Sequence, residues 1–267
     1  MMRGLVGALV AGLVTARGRA TGSLSPKGQA SAFLLGVLAT AAGWGFAASL
    51  VTFYVAAEAL TRWRAEEKAR RTIAAVPQTA ERNSTQVFAN GAFFTAFALY
   101  ALHHPNPRWR FAALGALAAA SADTWATEVG TFLGNAPRSV VTWSVLAPGM
   151  SGGISGAGTL ASVGGALLVA ITGAFTADLR DWRAVAVLTL AGVLGALADS
   201  VAGATVQSKR WCDRCREWTE RRVHPCGYRT KHRLGMVWLT NDLVNFICTA
   251  SGAVAAIVLA RLFYVPS

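Results

Sequence analysis

The chain has little charge for its length. Only 14% of its 267 residues are Asp, Glu, Lys or Arg, against about 25% in ordinary soluble domains, and its mean hydropathy is +0.42. This deficit excludes a soluble globular enzyme and a disordered tail. Only four cysteines are present, too few for a disulfide-rich secreted scaffold. The hydrophobic runs that fill most of the length instead predict an all-α integral membrane protein, a polytopic helical bundle.

Eight stretches are candidate spanning helices, since a span needs roughly 17–25 mostly apolar residues. The stretches are 4–16, 28–42, 44–61, 86–102, 111–130, 156–176, 185–206 and 236–262. The first two are short. We expect the first to be an uncleaved helix rather than a secretory signal, because Arg17 and Arg19 follow it without a small-x-small cleavage site. The prediction is a single membrane domain, residues 1–267, of about eight helices.

Basic residues are concentrated in alternate loops. The segments 16–28, 62–85, 131–155 and 207–235 hold 19 of the 25 Lys and Arg residues. By the positive-inside rule these loops are cytosolic and both termini lie outside, in the inner (plasma) membrane. The two long basic loops, 62–85 and 207–235, are expected to be solvated, with attraction to anionic headgroups or phosphates as the alternative. Neither alternates basic with aromatic residues, so no nucleic-acid partner is expected.

Carboxylates within the predicted helices converge on the cytosolic end. Ionisable groups in lipid are expensive and usually functional. Glu58 lies four residues before Arg62, which favours an ordinary helical ion pair. The candidate catalytic residues are Asp123, Glu128, Asp199 and Asp242. Similar surroundings for Asp123 and Asp199 suggest a parallel repeat that would face the two carboxylates toward each other; a coincidence between Ala/Gly-rich helices is the alternative.

Neutral polar residues follow the same layer. Asn90, Asn241 and Asn245 begin two of the helices, and a glycine-rich run precedes a third. The candidate phosphate-binding residues of that run are Gly152, Gly153, Ser155, Gly158 and Thr159. Such a run can bring backbone N–H groups close to phosphate oxygens. No Gly-Lys-Ser/Thr follows it, so it is not a P-loop, and a flexible loop or a tight packing site is the alternative.

Carboxylates with amides and no histidine are typical of a hard-cation site, and Mg²⁺ combines such ligands with substrate phosphates. We expect Asp123, Glu128 and Asp199 to hold a Mg²⁺–nucleotide, with Mg²⁺ on Asp123 and Asp199. Asp242 and the three asparagines would bind metal or orient an acceptor phosphate. Charge screening would come from Lys209, Arg210 or Arg82. The hypothesis is phosphoryl or nucleotidyl transfer to a membrane-borne acceptor; the alternative is an ion-coupled transporter.

Three of the four cysteines lie in the second basic loop, as Cys212-x2-Cys215 followed by His224-x-Cys226. This is the ligand set of a structural Cys₃His zinc site, and four protein ligands leave no open position for catalysis. A redox pair and uncommitted thiols are the alternatives. A reducing cytosol argues against disulfides.

Several short motifs, in order, resemble those of the transmembrane protein 19 family, formerly a domain of unknown function. They are Ser84-Thr85-Gln86-Val87-Phe88-Ala89-Asn90-Gly91, Ala122–Gly130, the Gly-rich run 152–159, Ala198-Asp199-Ser200 and Trp238–Asn245. Some members of that family are phytyl-phosphate kinases. The resemblance implies transfer of a γ-phosphoryl group from a nucleoside triphosphate, with CTP as the expected donor, to a phytyl or polyprenyl monophosphate.

Overall fold

A computed structural model describes residues 2–76, 81–134 and 136–264. This part of the chain forms nine helices and five short strands. The helices are α1 (Met2–Ala20), α2 (Pro26–Ala42), α3 (Trp44–Arg62), α4 (Ala65–Thr72), α5 (Ser84–His103), α6 (Arg108–Leu133), α7 (Gly156–Thr176), α8 (Trp182–Thr205) and α9 (Asn241–Phe263). The strands are β1 (Arg138–Ser139), β2 (Gly153–Ile154), β3 (Lys209–Cys212), β4 (Glu217–Thr219) and β5 (Lys231–Leu234).

The eight long helices correspond one to one with the eight predicted spans, so the predicted helical bundle is confirmed. Among the described helices, α3, α5, α7, α8 and α9 are long and apolar enough on their own to cross a membrane. The last predicted boundary is wrong by five residues. Residue 236 follows Gly235, which has φ +73°, and α9 begins only at Asn241 because Thr240 is extended and caps it.

The bundle is not purely helical, because the connecting segments carry their own structure. Strands β1 and β2 pair between α6 and α7. The predicted basic loop 62–85 contains α4, whose Glu66–Arg70 and Glu67–Arg71 pairs have helical i,i+4 spacing, and its residues 77–80 lie outside the described part. The predicted loop 207–235 contains an antiparallel sheet with strand order β4-β3-β5.

Helix α6 is the centre of the bundle, in contact with α3, α5, α7, α8 and α9. Its residues from Phe111 to Ala122 are all buried. Small residues allow close helix contact: a Cβ on Gly192 of α8 would lie 3.0 Å from Ala118 of α6, and Gly195 lies against Ala119. Helices α6 and α8 are therefore parallel neighbours, which fixes the relative level of the carboxylates that follow along each helix.

The links between helices alternate between the two ends of the bundle. At one end, called the polar end below, the α1–α2 link contacts α3: Thr21 and Ser23 donate hydrogen bonds to Glu58 at 3.1 and 3.0 Å. At the other end, the Thr176 hydroxyl donates to the Gly45 carbonyl at 3.2 Å, and Tyr264 to the Leu179 carbonyl at 3.3 Å. The ends of α6 and α8 and the beginnings of α5, α7 and α9 all meet at the polar end.

Candidate functional site

A cavity of about 1410 Å³ occupies the polar end of the bundle. Twelve residues that sequence reasoning placed in a site all line it, although they come from five helices, one strand and the residues that flank this strand. They are Asn90, Asp123, Glu128, Gly152, Gly153, Ser155, Gly158, Thr159, Asp199, Asn241, Asp242 and Asn245. The structure thus brings together polar residues that are up to 155 positions apart in the sequence.

Asp123 and Asp199 form the acidic centre of the cavity. Each follows, by one helical turn, a residue of the close Ala119–Gly195 contact between α6 and α8, so the two carboxylates lie at the same level and interact electrostatically. Asp199 is buried, and its Oδ2 atom has no hydrogen-bond partner among the described residues. A buried, unpaired carboxylate oxygen is costly unless a cation or donor compensates it. The pair therefore fits a bound cation.

Glu220 is an acidic residue of the cavity that sequence reasoning missed. The backbone N–H of Ser151 donates to its Oε1 at 3.0 Å, and the Gln207 amide donates to its Oε2 at 3.0 Å. Burial raises the pKa of the Glu220 carboxyl, and Glu220 also interacts electrostatically with Asp199. Its sequence context, next to Arg221 and Arg222, is that of a solvated loop, so only the tertiary structure could reveal this position.

The amide groups reach the cavity from α5 and α9. Thr249 of α9 donates a hydrogen bond to the Ala89 carbonyl of α5 at 3.0 Å. Asn245 lies one turn before Thr249, and Asn90 directly follows Ala89, so this bond holds the two asparagines near each other. Asn241 begins α9, and the Ser151 hydroxyl donates to its Oδ1 at 3.4 Å. Asp242, in the first turn of α9, is half-buried and lines the same cavity.

The glycine-rich run combines packing with the beginning of a helix. Gly152 has φ +84°, and a Cβ there would lie 2.5 Å from the Ala204 backbone nitrogen. Gly158 packs against α6, where a Cβ would lie 3.0 Å from the Ala126 carbonyl oxygen. Ser155 caps α7 by accepting a hydrogen bond from the Gly158 N–H at 3.1 Å. These two glycines therefore fit the tight-packing alternative. Their packing also places the beginning of α7 at the cavity, and the first turn of α7 has no acidic residue.

Glu128 has different partners from those expected of a metal ligand. Its carboxylate accepts hydrogen bonds from Lys68 of α4 and, at 2.7 Å, from Thr61. Lys68 is buried and also donates to the Leu60 carbonyl at 2.6 Å. Glu128 thus neutralises a buried ammonium and attaches α4 to α6, instead of joining the Asp123–Asp199 pair, because five residues along a helix place it on another face. The Glu58–Arg62 ion pair, at 3.0 Å, is confirmed.

Four arginines line the cavity: Arg62, Arg82, Arg210 and Arg222. Burial lowers the pKa of Arg82, and the charge of Glu128 partly offsets this effect. The Arg210 Nε atom donates to the Thr230 hydroxyl at 2.8 Å. Lys209 is buried beside Glu220 and does not line the cavity. The cavity is therefore lined by cationic as well as acidic side chains.

An apolar groove of about 310 Å³ lies next to this cavity, between α1, α2, α3 and α5. Side chains such as Val10, Leu35 and Val51 line it. Four residues line both the groove and the polar cavity: Tyr54, Arg82, Gln86 and Asn90. The two spaces together are amphipathic, with an apolar part among the helices and a charged part at the polar end.

The four residues of the predicted zinc site lie together on the three-stranded sheet, with their ligand atoms within 4.8 Å of one another. Cys212 and His224 are buried. A hydrogen bond with His224 lowers the pKa of the Cys226 thiol to about 6, while hydrogen bonds with Cys226 and Cys212 raise that of Cys215 to about 12. The four residues of the predicted cluster are therefore brought together, and none of them lines the polar cavity.

Comparison with known proteins gives a family. The family model described as Integral membrane protein DUF92 matches residues 9–253. The chain is 27% identical to Protein PGR of Arabidopsis thaliana over 263 residues, covering 90% of each chain. It is 31% identical to an uncharacterized membrane protein of Synechocystis, covering 88% of this chain and 81% of the relative. Protein VTE6, chloroplastic, of Arabidopsis thaliana is 26% identical over 89% of this chain and 66% of its own. No solved structure matches.

Proposed function

Because the chain belongs to the family of integral membrane proteins described as DUF92, which confirms the resemblance to the transmembrane protein 19 family, we propose that it is a membrane kinase. It transfers a phosphoryl group from a nucleoside triphosphate, with CTP as the expected donor, to an isoprenoid monophosphate and releases the isoprenoid diphosphate. The phytyl-phosphate kinases of the transmembrane protein 19 family support an isoprenoid monophosphate as the substrate class.

One observation carries the proposal: the polar cavity and the apolar groove share Tyr54, Arg82, Gln86 and Asn90. A substrate that fills both must have an apolar tail and an anionic head, as an isoprenoid monophosphate does. The groove keeps the tail out of water, as the bilayer does, while the head reaches the polar end; exposing the tail to water would cost about 0.8 kcal/mol per CH₂ group. The guanidinium of Arg82, which is partly desolvated, would attract the head phosphate at the residues that the two spaces share.

The remaining residues suit the nucleotide side of the reaction. The first turn of α7 offers backbone N–H groups and a positive helix end to phosphate oxygens. A terminal oxygen of the isoprenoid phosphate would form a bond to the γ-phosphorus while the bond between that phosphorus and the β–γ bridging oxygen breaks, and the nucleoside diphosphate would leave with the electron pair. The acceptor is already ionised, so no strong general base is required.

Asp123 and Asp199 would hold a divalent cation, with Asp242 and Glu220 nearby in the cavity. Such an ion, when bound, supplies charge neutralisation to the phosphates of the nucleotide. The fit rests on the unpartnered Oδ2 atom of buried Asp199. Arg210 and Arg222, which also line the cavity, would offset the negative charge that accumulates on the transferred group.

An ion-coupled transporter is the competing function. A carrier needs polar residues along a path to both membrane faces. In α6 the stretch from Phe111 to Ala120 is entirely apolar and buried. At the opposite end of the bundle, Thr176 is hydrogen-bonded to Gly45 and Tyr264 to Leu179. The described residues thus favour a site reached from one side and from the bilayer.

The test uses purified protein in detergent with Mg²⁺ and labelled CTP, ATP, GTP or UTP. Acceptors are phytyl, geranylgeranyl and farnesyl monophosphate, with the short isopentenyl monophosphate as the comparison. We expect a diphosphate product with at least one nucleotide, and a kcat/KM that is at least about tenfold higher for the long acceptors because their tails fill the groove.

Absence of product from every combination would overturn the proposal. Equal kcat/KM for the long and short acceptors would show that the apolar groove does not bind the acceptor tail. The matched control is Asp178→Asn, at an exposed position on the opposite end of the bundle, which should leave kcat and KM unchanged. Nucleotide-independent uptake of a labelled solute into proteoliposomes, in the absence of any product, would favour the transporter.

A further inference from the structure

The sheet β4-β3-β5 is too small to be stable through its apolar core alone. Its strands have four, three and four residues, and its fully or nearly fully buried side chains include Cys212, Thr219, His224 and Thr230, of which none is a large hydrocarbon. Small units of this kind normally require disulfides or a metal ion for a defined fold. The same sheet carries Glu220 and Arg222 into the polar cavity, so its stability affects the candidate site.

Two tight turns present the four candidate ligands. In the first, between β3 and β4, the Arg216 N–H donates to the Cys212 carbonyl at 2.8 Å, which places Cys212 and Cys215 on one side. In the second, the Gly227 N–H donates to the His224 carbonyl at 2.8 Å, and Gly227 has φ +83°, a conformation that favours glycine. Each turn contributes two ligands.

The distances between ligand atoms fit a tetrahedral zinc ion. With Zn–S bonds of about 2.3 Å and Zn–N bonds of about 2.0–2.1 Å, the edges of the tetrahedron are about 3.8 Å between sulfurs and about 3.6 Å between sulfur and nitrogen. Cys212 Sγ lies 3.7 Å from Cys226 Sγ, and Cys215 Sγ lies 3.4 Å from His224 Nδ1. A disulfide would require about 2.05 Å between sulfurs, and all four cysteines are free.

The surroundings of His224 fit a metal-binding imidazole. Its Nδ1 atom faces the sulfurs, whereas its Nε2 atom is buried and lies 3.5 Å from the Glu217 carboxylate. Histidine ligands usually direct their second ring nitrogen at a carboxylate or carbonyl group, which fixes the ring orientation. Asp213, within the first turn, pairs with Lys231 of β5 at 2.7 Å and joins the turn to the opposite edge of the sheet.

We propose that Cys212, Cys215, His224 and Cys226 bind one Zn²⁺ ion, and that this ion holds the sheet in the fold that positions Glu220 in the polar cavity. Next to Glu220, hydrogen bonds attach the sheet to the segment that follows α4. Thr219 donates to the Ala74 carbonyl at 2.8 Å, the Glu220 N–H to the Ala75 carbonyl at 2.7 Å, and Arg221 to the Val76 carbonyl at 3.0 Å. The ion has a structural role, because four protein ligands fill its coordination shell.

The first measurement is elemental analysis of the purified full-length protein, followed by chelation and reconstitution with Zn²⁺ or Co²⁺. We expect about one zinc per chain, and on Co²⁺ addition the visible bands of a tetrahedral, thiolate-ligated Co²⁺ ion. Cys212→Ser and Cys226→Ser should lower the zinc content at least tenfold, whereas His224→Cys, which supplies another soft ligand, should retain it. Cys248→Ser, at the cysteine in α9 outside the cluster, is the matched control and should also retain zinc.

The second measurement needs no variant. Hydrogen exchange of the Ser151 amide, which is bonded to Glu220, should accelerate at least tenfold when the metal is removed and recover when Zn²⁺ is added. Less than 0.2 metal ion per chain in freshly purified, folded protein would overturn the proposal. So would unchanged zinc in Cys212→Ser, or a mass 2 Da lower without reductant, since the latter indicates a disulfide. Unchanged Ser151 exchange after metal removal would disprove the positioning role.

Discussion

At the scale of single residues, four acidic side chains of the cavity differ in how they are compensated. Glu128 is neutralised by Lys68 and Glu58 by Arg62, so both stabilise the bundle. Glu220 is held by donors from Ser151 and Gln207. Asp199 alone among these four has a buried oxygen without a hydrogen-bond partner in the described part of the chain. An uncompensated buried carboxylate is typical of a functional site.

Asp199→Asn tests this distinction. We expect kcat for diphosphate formation to fall by roughly 10²–10³-fold, because the variant loses a carboxylate that would hold the cation neutralising the nucleotide phosphates. The thermal midpoint should stay the same or rise, since the substitution removes repulsion with Asp123. Binding of Mn²⁺, measured by electron paramagnetic resonance, should weaken in parallel. Near-wild-type activity with unchanged Mn²⁺ binding would place Asp199 outside the site.

At the scale of helices, contacts between small residues determine where the carboxylates meet. Gly195 of α8 lies against Ala119 of α6 and also approaches α9, where a Cβ would lie 2.9 Å from the Cys248 carbonyl oxygen. One turn further along, Asp199 faces Asp123. The alignment of the acidic pair therefore depends on backbone approach in the apolar part of the bundle, not on any contact between polar groups.

Gly195→Ala should separate α6 from α8. The added methyl group meets the Ala119 side chain and backbone of α9, so we expect the free energy of unfolding to fall by about 1–3 kcal/mol and Mn²⁺ affinity to fall with it. Gly164→Ala is the control, because a Cβ on Gly164 of α7 would lie 3.4 Å from Trp125, an ordinary contact. Equal thermal midpoints for the two variants, measured in the same detergent, would contradict the role of this contact.

Helix positions could be predicted from hydropathy because a bilayer span requires a long apolar run, whatever its neighbours are. The beginning of α9 was misplaced because the apolar residues Met236, Val237 and Trp238 extend the run beyond the Thr240 cap. The Lys68–Glu128 pair and the position of Glu220 could not be predicted, since each joins segments at least 60 residues apart that no local pattern connects. The grouping of the three cysteines with His224 could be predicted because all four lie within 15 residues of the sequence.

At the scale of the whole molecule, the charge distribution predicts which membrane face the cavity opens to. All the links at the polar end lie in the segments that hold 19 of the 25 basic residues. The positive-inside rule therefore predicts that the cavity opens to the cytosol, where nucleotides are available, and that both termini lie outside. The acidic pair, the guanidinium groups and the sheet would then share one compartment.

Reporter fusions at four exposed positions test this arrangement. Fusions at Thr142 and Arg214, on polar-end links, should give a cytosolic signal with green fluorescent protein and little alkaline phosphatase activity. Fusions at Asn106 and Asp178, on links at the opposite end, should give the reverse. If Thr142 and Arg214 reported opposite faces, the acidic pair and Glu220 could not share a cavity, and the phosphotransfer proposal would fail together with the fold. If all four positions reported the inverted orientation, the cavity would remain intact but would lack access to cytosolic nucleotide, which would favour the transporter.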